Sequence, residues 1–429
     1  MVRQVKNADV LYLKETFKGN SDFIFREITI SKKEKLYIIF FESLCSSSLI
    51  YDFVIKNVDN YTVLNKRINV LSDVISSPKL TNVLGKDDLF YYLENGFCLV
   101  FYKDEKYAIE VKAELDRGIT MAQTEPNMYG PKDSFCENYQ KNLGVLKRRI
   151  KNKDLKTESV DRGIYTKNKI SLIYIDSLVS KDALLKIKER LNEYKDLEVT
   201  DSHDLAEELS LNRVFPTILK SEKPSVAAKF LLKGKVIILI DNTPFALVMD
   251  ATFNDFVNPT TTDKFVKVLR YICLFLTIMT PAIYIALINF NQETIPIKLL
   301  INFAEQRANV PFPAIIEALL MLFTCEILRE ADIRFPNSYG SAASILGALV
   351  LGEAAVNAGI VSAIMIIIVA ITFITNLIFI EVKLVWAIRI MRISFLVIAA
   401  FLGLYGLAIS FIACLSILAN VKMYEGAYL

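Results

Sequence analysis

The chain has 429 residues, 53% of them apolar, with a mean hydropathy of +0.36 and a formal net charge of +3. That balance lacks the basic stripe or basic domain that nucleic-acid binding requires. A single histidine, His203, removes His-based zinc sites, catalytic triads and histidine proton switches.

Charge is unevenly placed. Residues 268–429 hold 9 basic and 9 acidic side chains, leaving 41 basic and 38 acidic in the first 267. The chain therefore reads as a charged, water-facing part followed by a lipid-facing part. The first twenty residues carry Lys6, Lys14, Glu15 and Lys18 without an apolar core, so no signal peptide is expected and the charged part is expected on the cytoplasmic side. The six cysteines are scattered, no two of them two to four residues apart, which predicts free, reduced thiols and no metal site.

The water-facing part reads as a duplication. Lys35 to Leu44 opens with a short apolar run suited to a buried strand, and Leu49 to Val58 follows at helical spacing. The same pattern recurs at Lys169 to Leu178 and Lys181 to Leu191, with an acid-Ser-Leu step joining strand to helix each time. A second matching pair runs from Tyr92 to Val111 and from Leu231 to Met249. Each reads as helix end, glycine (Gly96 or Gly234), strand, tight turn, strand. Two similar α/β subdomains are expected, within domains 1–130 and 131–264, ahead of a transmembrane domain over 265–429.

No catalytic constellation stands out. Gly234-Lys235 lacks the upstream glycine and the Ser or Thr of a phosphate loop, and no Gly-x-Ser-x-Gly elbow occurs. The densest basic run, Lys147-Arg148-Arg149-Ile150-Lys151-Asn152-Lys153, reads as a solvated helix end or as a contact for anionic lipid or a partner. No enzyme, cofactor or metal is expected.

In the second part, Tyr271 to Gln292 is uncharged for 22 residues. As helix that is about 33 Å, enough to cross a hydrocarbon core of ~30 Å. Phe335 to Ile380 carries one charge, Glu353, over a length suited to two crossings, with the break placed at Asn357-Ala358-Gly359. Ser394 to Val421 supplies another uncharged run. Pro311-Phe312-Pro313 opens a helix too polar to face lipid, carrying Glu317, Glu326, Arg329 and Glu330. Counting it as a crossing gives five and an outside C-terminus; counting it as re-entrant gives four. Small residues fill Ser341 to Gly359, which suits either close helix packing or a pore between subunits. An ionisable group at membrane depth is costly and usually functional. The candidate ion pathway is therefore Gly352, Glu353 and Asn357, with Glu326 and Glu330 next; pairing of Glu326 with an arginine is the structural alternative.

The segments Val310 to Met321, Glu326 to Ala331, Ile345 to Val356 and Ala358 to Ser362 resemble the A subunit of GerA-type spore germinant receptors. The resemblance extends upstream through Gly130-Pro131, Leu146 to Lys151, Ala228 to Ile240 and Thr243-Pro244-Phe245. It implies a two-subdomain cytoplasmic region and a multi-pass all-α membrane domain in the spore inner membrane. It also implies a ring of copies, a pentamer in the resemblance, acting with a transporter-like B subunit and a lipoprotein C subunit as a nutrient-gated channel for monovalent cations. A stage V sporulation paralogue that conducts without sensing nutrient, and a non-conducting scaffold, are the alternatives. Departures from the family pattern are Leu322 in place of an acid, Glu353 in place of Gln, and Ala363 in place of Pro; relatives also continue past Leu429 into a basic tail.

Overall fold

The computed structural model describes residues 8–31, 34–63, 71–83, 85–113, 131–194, 198–259, 263–334 and 352–429. The chain divides into two compact units, 1–210 with 218–250 and 211–217 with 251–429.

The first unit holds two five-stranded sheets. The first is built from β1 (Phe23–Ser31), β2 (Glu34–Phe41), β3 (Leu80–Asn82), β4 (Phe97–Tyr102) and β5 (Glu105–Glu110), in the order β1-β2-β4-β5-β3. The second uses β6 (Leu155–Arg162), β7 (Asn168–Ile175), β8 (Leu219–Ser221), β9 (Ile237–Ile240) and β10 (Ala246–Val248), in the equivalent order β6-β7-β9-β10-β8. All the described pairings are antiparallel. The expected apolar runs are the inner strands β2 and β7, whereas the outer partners β1 and β6 are more polar.

Helices cover both faces of the first sheet. Helix α1 (Ala8–Thr16) supplies Val10 and Leu13 to one side, beside Leu89 and Leu93 of α3 (Lys86–Glu94). On the other side lies α2, a continuous helical stretch made of Ser47–Ile50, a π turn Tyr51–Ile55 and Lys56–Val63. It presents Ile50, Val54 and Val58. Period-two alternation in the strands divides the residues: Leu36 and Ile38 face α2, while Ile39 and Phe41 face α1 and α3. Four helices accompany the second sheet: α4 (Tyr139–Arg149), α5 (Lys181–Glu193), α6 (Ser202–Leu209) and α7 (Pro224–Leu232).

The matching glycines occupy the same place in both copies. Gly96 has φ +78° and Gly234 φ +80°, in the left-handed region. A Cβ on Gly96 would come 3.0 Å from the Leu44 carbonyl oxygen, and on Gly234 2.5 Å from that of Leu178, so each glycine lets the turn approach the acid-Ser-Leu step of its own copy.

All six cysteines are free thiols. Burial pushes the Cys45 thiol up to about 12, with Asp22 adding to the effect, and pushes Cys98 well above its ordinary range. Native protein treated with a maleimide at pH 8 is expected to leave Cys45 and Cys98 unmodified while the half-buried Cys136 reacts; peptide mass mapping reads the difference.

The second unit is helical: α8 (Phe253–Val257), α9 (Lys264–Phe290), α10 (Ile297–Arg307), α11 (Ala314–Arg334), α12 (Ala363–Asn376) and α13 (Val382–Ala419). Two of them, α9 and α13, are long and apolar enough to cross a membrane by length and composition. Helix α9 continues through Pro281. The chain breaks where expected after Asn357, with Gly359 at φ +66°. Residues 341–351 of the small-residue stretch lie outside the described residues.

Helix α13 departs from expectation. It breaks at Gly403 (φ 62°, ψ −147°) and turns back, placing Cys414 Sγ 3.3 Å from Met391 Sδ. A straight helix would separate those residues by about 34 Å. The uncharged run that read as one span is thus a helical hairpin packed on α9. Beyond it, the tail returns to the start of the unit: the Phe253 N–H donates to the Tyr428 carbonyl (2.8 Å), and the Tyr428 ring packs near Phe215 and Phe253.

Candidate functional site

Helix α11 begins after Pro311-Phe312-Pro313, with its first turn closed by the Ile316 N–H on the Pro313 carbonyl. One turn in, Glu317 is buried among apolar neighbours. It accepts hydrogen bonds from the Ser362 N–H (3.1 Å) and hydroxyl (2.9 Å), and the Arg307 Nε of α10 lies 3.4 Å away. Ser362 is the residue that opens α12, yet its hydroxyl does not cap its own helix; it serves Glu317 instead. A buried carboxylate needs such partners, since an unpaired one costs several kcal/mol. Glu317 therefore ties α10, α11 and α12 together.

Nine residues on, about 13 Å along the helix, Glu326 meets Arg389 (2.5 Å) and Arg392 (3.0 Å) from the first arm of α13. Arg392 is only 4% exposed. The structural alternative for Glu326 is the one the molecule adopts: an interhelical ion network joins α11 to α13. Glu330, four residues further, is exposed near the end of α11.

Gly352, Glu353 and Asn357 lie on the separate helical turns 352–357. Gly352 is buried, and a Cβ there would sit 3.8 Å from Ile366 of α12. Glu353 and Asn357, one helical turn apart, are both exposed on the single chain. The five candidate pathway residues thus fall into two groups on different helices. Glu317 is the member sequence reasoning passed over. Its signal was present in a carboxylate one turn after Pro-Phe-Pro, inside an apolar run.

The basic run divides as well. Arg148, Arg149 and Lys151 are exposed; Arg149 pairs with Asp133, and Lys151 donates to Asn95 Oδ1 (2.5 Å). Lys147 corrects the reading of the run as a surface: it is 5% exposed, and its ammonium pairs with the buried Asp22. It sits on the inward stripe of α4 with Leu143 and Leu146, so it has no face to offer a lipid or a partner. Among the described residues no group of three or more His, Cys, Asp or Glu side chains could hold a metal ion.

A two-sheet α/β unit followed by an apolar helical unit with ionisable groups inside it defines the class, a two-part membrane-associated protein. The family described as "Bacillus/Clostridium GerA spore germination protein" matches residues 11–429, and the chain belongs to that family. Spore germination protein KA of Bacillus subtilis (strain 168) is 33% identical, over 97% of this chain and 79% of its own. Spore germination protein B1 of the same organism is 28% identical, over 97% and 89%. Among solved structures, the N-terminal domain of the A subunit of the Bacillus megaterium spore germinant receptor GerK3 aligns over 59% of this chain and 97% of its own, at 21% identity and a TM-score of 0.43.

Proposed function

We propose that the chain is the A subunit of a nutrient germinant receptor, working with the receptor's B and C subunits in the spore inner membrane as a ring that passes monovalent cations. The observation that carries this reading is the family match over residues 11–429, read together with the exposed Glu353–Asn357 face. A carboxylate and an amide one turn apart on an otherwise apolar helix form a surface that a neighbouring copy and water can cover better than lipid can. Glu353 sets the preference for cations. Glu317 and Glu326 hold the surrounding helices in place.

The helical unit crosses the membrane an even number of times, and both of its ends lie on the cytoplasmic side. Tyr428 meets Phe253, which precedes the first long apolar helix, so by Tyr428 the chain has returned to the side from which that helix starts. This favours an even count over five crossings. The exposed stretch of Arg148, Arg149 and Lys151 is the surface that would meet a partner or anionic lipid.

Reversing charge at the pathway tests the reading. In vesicles containing the assembled receptor, Glu353→Lys is expected to lower potassium flux by about tenfold or more, since each 1.4 kcal/mol on a barrier is a factor of ten. Glu353→Gln is expected to reduce selectivity while retaining flux. Unchanged flux and selectivity in Glu353→Lys, with assembly intact, would overturn the pathway assignment.

A further inference from the structure

The hairpin of α13 does not close completely on α9. Between them lies a cavity of about 360 Å³, within the range of small-ligand pockets (about 300–1,000 Å³). Tyr271, Leu274 and Ile278 of α9 line one wall, and Phe395, Leu415 and Leu418 of the hairpin line the other. From Tyr271 to Ile278 it extends about 10 Å along the helix. Polar atoms gather at one end, where the Tyr271 hydroxyl donates to Asn254 Oδ1 (2.9 Å).

We propose that this cavity holds one acyl chain of an anionic phospholipid. The cavity opens onto the outer apolar faces of the helices, where Phe275 is 50% and Leu415 43% exposed; these are surfaces that hydrocarbon covers in a membrane. The stripe that lines it also continues beyond it. Lys264, Lys267, Tyr271, Leu274 and Ile278 recur at spacings of three and four, so they share one face of α9. Along that face the chemistry runs from ammonium through phenol to aliphatic side chain, the order of a phospholipid from headgroup to tail. Lysines at this level attract a phosphate, and tyrosine sits well where water gives way to hydrocarbon. A free apolar molecule would need no lysines, and a zwitterionic lipid would gain less from them.

This inference rests on the reading that the helical unit lies in a membrane, and the experiment separates the two. Full-length protein is reconstituted in vesicles of phosphatidylcholine with phosphatidylglycerol carrying a photoreactive acyl chain, and labelled peptides are mapped by mass spectrometry. Labelling is expected to concentrate on 271–279, 391–395 and 411–418. Even labelling over all apolar faces, including Ile371, Ile374 and Trp386, would overturn the site while leaving the membrane reading intact; no labelling anywhere would overturn both. Leu274→Trp, which fills the cavity, is expected to lower labelling there at least fivefold. The surface pair Lys264→Gln and Lys267→Gln, which leaves the core untouched, is expected to abolish the preference for phosphatidylglycerol over an equally labelled phosphatidylcholine. A preference unchanged in that pair, or equal capture of free fatty acid by the parent protein, would contradict the headgroup assignment.

Discussion

Lys147→Met is expected to destabilise the first unit by about 3–5 kcal/mol, the usual cost of removing one partner from a buried ion pair. The Lys147 side chain is 6% exposed and that of Asp22 1%. Asp22 also accepts from the Ser43 N–H (2.9 Å) and hydroxyl (2.7 Å), and the ammonium lies 3.8 Å from the centre of the Phe41 ring. Burial pulls the Lys147 proton affinity down, and the Asp22 carboxylate opposes it. The substitution leaves Asp22 inside without a counter-charge.

The site also joins the two sheets, since Asp22 precedes β1 while Lys147 lies on the helix leading to β6. Around it, the Ser21 N–H donates to the Thr157 carbonyl (2.8 Å) and Lys156 Nζ to that of Thr16 (2.5 Å). For a unit of this size the loss corresponds to about 6–20 °C in the melting temperature. The double variant Asp22→Asn with Lys147→Met is expected to recover most of it, because neither charge remains. A melting temperature unchanged in Lys147→Met would mean the pair is not closed in solution.

The second large effect is expected at Glu326. Glu326→Ala leaves Arg392, 4% exposed, without a carboxylate, and the folded helical unit should lose about 3–5 kcal/mol. The measurement is the temperature at which detergent-solubilised protein loses its folded signal. Replacing both Glu326 and Arg392 by Met is expected to restore most of that temperature. Ion selectivity distinguishes a fastening role from a place in the pathway. Protein that remains folded with Glu326→Ala should conduct with the parent selectivity, whereas Glu353 variants should change selectivity without changing stability. Altered selectivity with unchanged stability in Glu326→Ala would place that carboxylate in the pathway.

The parts legible in the sequence were those whose signal is local. β2 and β7 are apolar runs because both faces of each are covered, and Gly96 and Gly234 mark turns that tolerate no Cβ. Their partners were harder to see. β6 reads Leu-Lys-Thr-Glu-Ser-Val-Asp-Arg, a polar edge strand whose pairing is set by its neighbour rather than by its own pattern. The hairpin at Gly403 was hidden for the opposite reason. Both of its arms are apolar, so hydropathy runs straight through the reversal, and only the glycine itself betrays it. Lys147 was misread by composition, because a dense basic run suggests a surface. Its spacing told more, as Leu143, Leu146, Lys147 and Ile150 fall on one helical stripe. Glu326 was legible only as a choice between two roles, because its partners come from a segment more than sixty residues away.

The most direct measurement is the mass of the detergent-extracted protein by light scattering, with the detergent contribution subtracted. The proposed ring of copies, with Glu353 facing the shared axis, predicts one discrete species at a whole multiple of the 48.6 kDa chain. A single species at 48.6 kDa, folded and stable, would contradict a pathway built between subunits.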